Sequence, residues 1–393
     1  MLTRASFENF KALERVDVDL SRFTLLVGKN SAGKTSVLQG MHHASQLGAR
    51  QEDEHRWAEG RPGAIFSGSR DPRRLVTLPG HGPMRIALTD EQARTLSVEA
   101  RLPVDESEPY QFTLALSGDE PSSITLPGVM TLPGERAETL PKVFFGLPAL
   151  RRFASVALLR LDADVIMRPS MADSEQPRLE QNGEGLASVL NYFAGAEPAI
   201  LDALTEDLAK VIPQVRGIRT FPAQVTRRRQ ERIVIGDQAV NRSFDEPVWG
   251  HRFSLDMGKG RLIPADLLSE GTVLTLGLLT ALRHPLCPRL VLADDIDKSL
   301  HPGAQAELVR CIRAILAARP ELQMVCTTHS PYLLDHVELD EVRVMALDAE
   351  GHAACRSLSD HPDSQRWREM LRTGEFWASV GEDWIVEKAA GGG

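Results

Sequence analysis

Residues 23–39 read FTLLVGKNSAGKTSVLQ, and Gly28, Gly33, Lys34 and Thr35 within them satisfy the spacing GxxxxGK[ST]. The residue types say what such a loop can do. Glycines permit positive φ and let backbone N–H groups approach phosphate oxygens. A helix starting at the loop's end adds the positive end of its dipole. Lys34 is placed to reach the β- and γ-phosphates, and the Thr35 hydroxyl to ligate Mg²⁺. The expected cradle is Gly28, Asn30, Ser31, Ala32, Gly33, Lys34, Thr35 and Ser36, and the expected cofactors are ATP and Mg²⁺. The flanks supply the required context: FTLLV is a short β-rich run, and TSVLQGMHHASQL has the apolar spacing of a helix.

A P-loop needs a carboxylate at the end of a second apolar strand to hold the metal. RLVLADD, residues 289–295, offers it, with Asp294 closing the run Leu290–Ala293. The two halves lie 266 positions apart, so a large insertion separates them. Ser269-Glu270-Gly271-Thr272 precedes a strongly apolar helix and sits where anions are favoured, although alone it is an ordinary helix cap. A third apolar strand, Leu322–Cys326, runs into Thr327-Thr328-His329-Ser330-Pro331. A lone histidine in that place is more often structural than functional.

The order of these segments resembles the ABC-type ATPase heads of the RecF, OLD and structural-maintenance-of-chromosomes class. The opening FENFKALERVDVDL, with Asn-Phe-Lys between two strands, is similar to that class as well. The resemblance implies an α/β P-loop NTPase, an ABC-ATPase-like head with an antiparallel β-subdomain and an inserted, mostly helical subdomain. It also implies a homodimer closed around ATP, in which Ser269 and Gly271 of one copy meet the γ-phosphate held by the other. Lys34, Asp295 and His329 become the catalytic set, with Asp295 as general base and His329 as the γ-phosphate sensor in cis. Thr35 and Asp294 become the metal ligands, and Ser299–Pro302 the loop that crosses the dimer interface. One departure stands out: the family has Glu where this chain has Asp295. That side chain is shorter by one C–C bond, roughly 1.5 Å, and a displacement of about 1 Å costs on the order of a hundredfold in rate. Slow hydrolysis, ordinary hydrolysis through a shifted backbone and a binding-only switch all stay open. Asp297 stands where a second acidic residue is frequent, as an auxiliary or a turn former, and no Q-loop glutamine is identifiable.

The remaining elements must position these residues. Residues 84–118 alternate apolar and polar and read as an antiparallel meander. Residues 184–215 read as two amphipathic helices, with Pro198 opening the second. Sustained heptads are absent, which excludes a long coiled-coil arm. The expected domains are 1–65 and 246–350 for the two halves of the head, 66–175 for the β-rich part, 176–245 for a helical and basic insertion, and 351–393 for a tail. Arg216, Arg219, Arg227, Arg228, Arg229 and Arg232 make 216–232 a candidate nucleic-acid contact, or else a charged, solvated edge strand. The tail's Trp367, Trp377 and Trp384 are expected to pack on the head or form a partner surface, and AAGGG to be a flexible end.

A net charge of −9 argues against a generally basic, nucleic-acid-coated surface, and 42% hydrophobic content against wholesale disorder. The four cysteines have no metal or disulfide spacing. No signal-like start and no 18-residue apolar run occur, so a cytoplasmic protein without membrane contact is expected. No nuclease domain of the OLD kind is expected in the roughly sixty residues after the histidine strand. The expected role is a switch in DNA maintenance or anti-phage defence that controls a separately encoded effector. A scaffold with negligible turnover and a transporter subunit are the alternatives.

Overall fold

A computed structural model describes residues 1–48, 77, 82–101, 110–118, 122–128, 153, 155–235, 238–367 and 370–387. The chain divides into two compact units. The first comprises Met1–Leu158, Pro288–Asp297 and Leu316–Gly393, and the second Leu159–Cys287 and Lys298–Ile315.

The first unit is built on two sheets. Strands β1 (Leu2–Phe10) and β2 (Leu13–Asp19) pair antiparallel, and Asn9 and Lys11 take φ of 53° around the reversal between them. The expected meander follows as β4 (Met84–Asp90), β5 (Thr95–Arg101) and β6 (Tyr110–Ser117), extended by β7 (Ser122–Gly128). Together they form a sheet ordered β2-β1-β4-β5-β6-β7.

The second sheet is ordered β15-β14-β3-β13-β12-β8. Its strands are β3 (Phe23–Gly28), β8 (Val156–Leu159), β12 (Leu290–Ala293), β13 (Gln323–Thr327), β14 (Val342–Leu347) and β15 (Ala353–Ser357). All residues of β3, β12 and β13 are buried, as continuous apolar runs covered on both faces must be. Because β3 lies parallel to both β13 and β14, and β13 to β12, their carboxyl ends share one edge. That edge is where open α/β sheets collect their ligands. Helix α1 (Lys34–Gly48) leaves β3 there, and its Val37, Leu38 and Met41 join one core with Phe7, Phe10, Leu26, Ile86 and Val325. Gln323 ties β13 to the chain start, accepting from Leu2 N–H at 2.9 Å and donating to Leu2 O and Ser21 O at 2.8 Å each.

In the second unit the two expected helices are α2 (Leu186–Ala196) and α3 (Pro198–Val211), with Pro198 at the start of α3. After them comes a long hairpin: β9 (Gly217–Ile235) pairs with β10 (Gln238–Asp256) in unbroken register from Gly217↔Asp256 to Ile235↔Gln238. Its base is anchored by buried Ile218, Phe253 and Leu255, and β11 (Leu262–Pro264) adds a short third strand. Helix α4 (Glu270–Arg283) and the first part of α5 (Pro302–Ala318) complete the unit. Fully buried Asp207 is their polar joint. It accepts from Arg283 at 2.9 and 2.5 Å and from Lys210 at 2.9 Å, and its backbone carbonyl accepts from the Cys311 thiol.

Candidate nucleotide site

The sheet edge assembles the predicted residues of the first unit. Gly28 closes β3 with φ +138°, and a Cβ there would stand 2.1 Å from Met345 O on neighbouring β14. Only glycine fits that approach. Ser31 and Gly33 also take positive φ, 67° and 96°, and coil the loop into a concave nest of the kind that receives anions. Lys34, 6% exposed, curls over this loop and donates to Gly28 O at 2.8 Å and Lys29 O at 3.0 Å. Burial pulls the Lys34 ammonium below its usual range, and the carboxylates of Asp295, Asp294 and Glu382 oppose that pull. Asn30, Ala32 and Ser36 complete the loop and the first turn of α1.

Thr35, in the first turn of α1, donates towards both oxygens of Asp294, at 3.1 and 3.2 Å. A hydroxyl and a carboxylate converge there, 259 positions apart in sequence. Mg²⁺ prefers oxygen donors and takes one or two carboxylates with substrate phosphates, so this pair fits it.

Thr327, at the end of β13, is wholly buried and carries no role in the sequence reading. Its hydroxyl lies 2.7 Å from Asp294 Oδ1 and 3.3 Å from Asp295 Oδ1, and accepts the Asp295 N–H at 2.8 Å. One residue therefore orients both aspartates. The only sequence signal was its place at the end of the apolar run Leu322–Cys326. Asp295 itself has φ 51°, and its Oδ1 is 4.0 Å from His329 Nε2. Both side chains are substantially exposed, at 52% and 42%, as groups meant to meet a ligand would be. Asp297 buries an oxygen, Oδ1, that has no hydrogen-bond partner among the described residues.

Ser269 and Gly271 belong to the second unit. Ser269 is the residue before α4, and its hydroxyl is 2.8 Å from Thr272 Oγ1 instead of capping the helix. Glu270 accepts from Ser299 at 2.6 Å and pairs with Lys298 at 2.9 Å; these contacts, Ser299 foremost, hold its carboxyl below the usual range. A Cβ on Gly271 would stand 2.2 Å from Ser299 O. The Ser269–Thr272 turn and the stretch after Asp297 are thus clasped together within this unit.

Of the candidate arginines, Arg216 donates to Pro213 O at 2.6 Å and Val215 O at 2.9 Å, just ahead of β9. Arg219 and Arg227 are exposed on the hairpin, with Arg227 paired to Asp173 at 3.2 Å. Arg228, Arg229 and Arg232 lie in β9, and their side chains fall outside the described residues. In the tail, Trp377 is buried and Trp384 packs edge-on against His361.

The family model described as "AAA domain, putative AbiEii toxin, Type IV TA system" matches residues 158–335, and the one described as "AAA ATPase domain" matches residues 1–54. The Septu protein PtuA of Bacillus thuringiensis is 33% identical over 69 residues, which is 18% of this chain and 17% of that protein. The chain thus matches only a small part of that relative's length. Among solved structures, an Smc head bound to the C-terminal winged-helix domain of ScpA superposes with a TM-score of 0.50 at 14% identity. That superposition covers 93% of this chain and 99% of the other. The SMC head domain from Thermotoga maritima gives 0.44 at 13% identity, covering 91% and 98%. With the glycine loop and the paired aspartates in their expected order, the chain has the fold of an SMC-type, ABC-ATPase-like head, and two of its segments match AAA-family ATPase models.

Proposed function

We propose that the protein binds and hydrolyses ATP with Mg²⁺ and uses the cycle as a conformational switch. The observation that carries this is the meeting of Thr35 and Asp294 under the Thr327 hydroxyl, which joins the two halves of a phosphate site across the fold. Lys34 would turn from the loop carbonyls to the β- and γ-phosphates. Thr35 and Asp294 would hold Mg²⁺, which supplies charge neutralisation between those phosphates. Asp295 would orient the attacking water, with His329 sensing the γ-phosphate beside it. In-line phosphoryl transfer asks little more of a protein than such positioning and charge.

Two copies would close around two ATP molecules, the Ser269–Gly271 turn of each facing the phosphates bound to the other. Hydrolysis would reopen the pair. The matched segment of the Septu protein PtuA favours a setting in anti-phage defence, with a separately encoded effector under control, over DNA maintenance. The exposed Arg219 and Arg227 on the long hairpin make nucleic acid a candidate trigger. A nucleotide-gated scaffold is the second reading, favoured by the short side chain and positive φ of Asp295.

The decisive experiment measures mass by light scattering with and without ATP. Dimers that form with ATP in the natural protein and are lost in Lys34→Ala support the switch. An ATP-independent dimer, unchanged by the substitution, would mean assembly through another surface.

A further inference from the structure

Lys29, the first variable residue of the P-loop, is bound at both ends. Its carbonyl accepts from Lys34 at 3.0 Å. Its ammonium is 3.5 Å from Asp383 Oδ1 and 3.9 Å from Glu382 Oε2. These two carboxylates are 353 and 354 positions further along the chain, in the C-terminal segment.

That segment is firmly seated in the first unit. Helix α6 (Thr373–Val380) ends at Gly381, whose φ is +62°, and α7 (Asp383–Glu387) follows with Ile385 fully buried and the helix packed on β14 and β15. Glu382, between the two helices, is only 9% exposed. It also bears on Lys34, whose charged form it favours. A carboxylate held this close to Lys29 is opposed to the loop's task, because it occupies a cation that phosphate needs. The Lys29 side chain, by contrast, is 72% exposed on a flexible stem. Ion pairs of that kind are weak and readily exchanged.

We propose that Lys29 is a second phosphate-directed cation of this loop, and that Glu382 and Asp383 compete with the nucleotide's phosphates for it. The C-terminal segment then sets the affinity of the site: a triphosphate, with several charged oxygens, displaces the two carboxylates from Lys29, and phosphate release returns Lys29 to them. A partner that pulls α7 away from β14 would tighten nucleotide binding without touching the loop.

This rests on the nucleotide reading above, and the test separates the two. Binding of a fluorescent ATP analogue is measured for the natural chain, K34A, K29A, E382Q/D383N and the triple variant K29A/E382Q/D383N, each checked by thermal melt. The expected result is that E382Q/D383N binds about three- to tenfold tighter at about 50 mM salt, with the gain shrinking by about 300 mM as screening sets in. K29A binds about tenfold weaker, and the triple variant binds like K29A. Unchanged or weaker binding by E382Q/D383N overturns the proposal. The same tightening in the K29A background also overturns it, since the carboxylates would then act without Lys29. E382Q alone, which is isosteric, repeats the test should the double variant unfold. If K34A binds as tightly as the natural chain, the nucleotide reading itself fails, whatever Lys29 does.

Discussion

The Thr327 hydroxyl stands 2.7 Å from Asp294 Oδ1 while it accepts the backbone N–H of Asp295 at 2.8 Å. A single buried side chain thereby sets the Asp294 carboxylate and the backbone of its neighbour. Thr327→Val keeps the shape but removes both hydrogen bonds, leaving Asp295 N–H unpaired. Loss of such a buried partner costs about 1–3 kcal/mol. The expected outcome is a lower Tm and an ATP turnover reduced by more than about tenfold, with Thr327→Ser retaining both. A Val variant that turns over ATP normally would remove Thr327 from the site.

Asp295 is tested by single-turnover hydrolysis. Asp295→Asn should lower the rate by at least about a hundredfold while nucleotide binding persists. Asp295→Glu extends the carboxylate towards the place the family uses and should raise the rate. Equal inertness of all three proteins would establish the scaffold reading.

Gly28→Ala would place a methyl group 2.1 Å from Met345 O on a backbone with φ +138°. Strand β14 must then separate from β3, at a cost of about 3 kcal/mol or more, read as a fall in Tm and loss of nucleotide binding. Gly195→Ala is the contrast. That glycine is helical, exposed and open around its Cβ, so alanine should be neutral or stabilising by up to about 1 kcal/mol.

His43 gives a pH signature. Burial, reinforced by nearby His42 and Lys11, pushes its pKa down to about 3. The unfolded chain binds this proton below pH 6.5 and the folded chain does not, so folding stability falls as pH drops from 6.5 towards 3. The slope is at most about 1.4 kcal/mol per pH unit for this group. His43→Leu, beside the Phe10 ring, should give a flatter dependence over that window in urea melts. An identical pH slope would show that His43 is protonated in the fold.

The sequence by itself determined the parts whose chemistry is local. Gly28, Gly33, Lys34 and Thr35 stand out in the sequence because a phosphate cradle would need those types at that spacing, and Asp294 because a metal carboxylate would close a buried strand; the fold brings Thr35 and Asp294 together. The meander of 84–118 and the helices of 184–215 are legible because pleat and helix impose their own periods on apolar residues. Only the tertiary structure decided what depends on neighbours in space. The role of Thr327 arises from β13 lying beside β12, and the pairing of Lys29 with Glu382 and Asp383 from α7 packing on the sheet that carries the loop. The length of the β9–β10 hairpin follows from cross-strand register, which a charged and weakly alternating segment does not announce. The Thr327 and Lys29 contacts join residues tens to hundreds of positions apart, and single-strand patterns carry no record of which strands become neighbours.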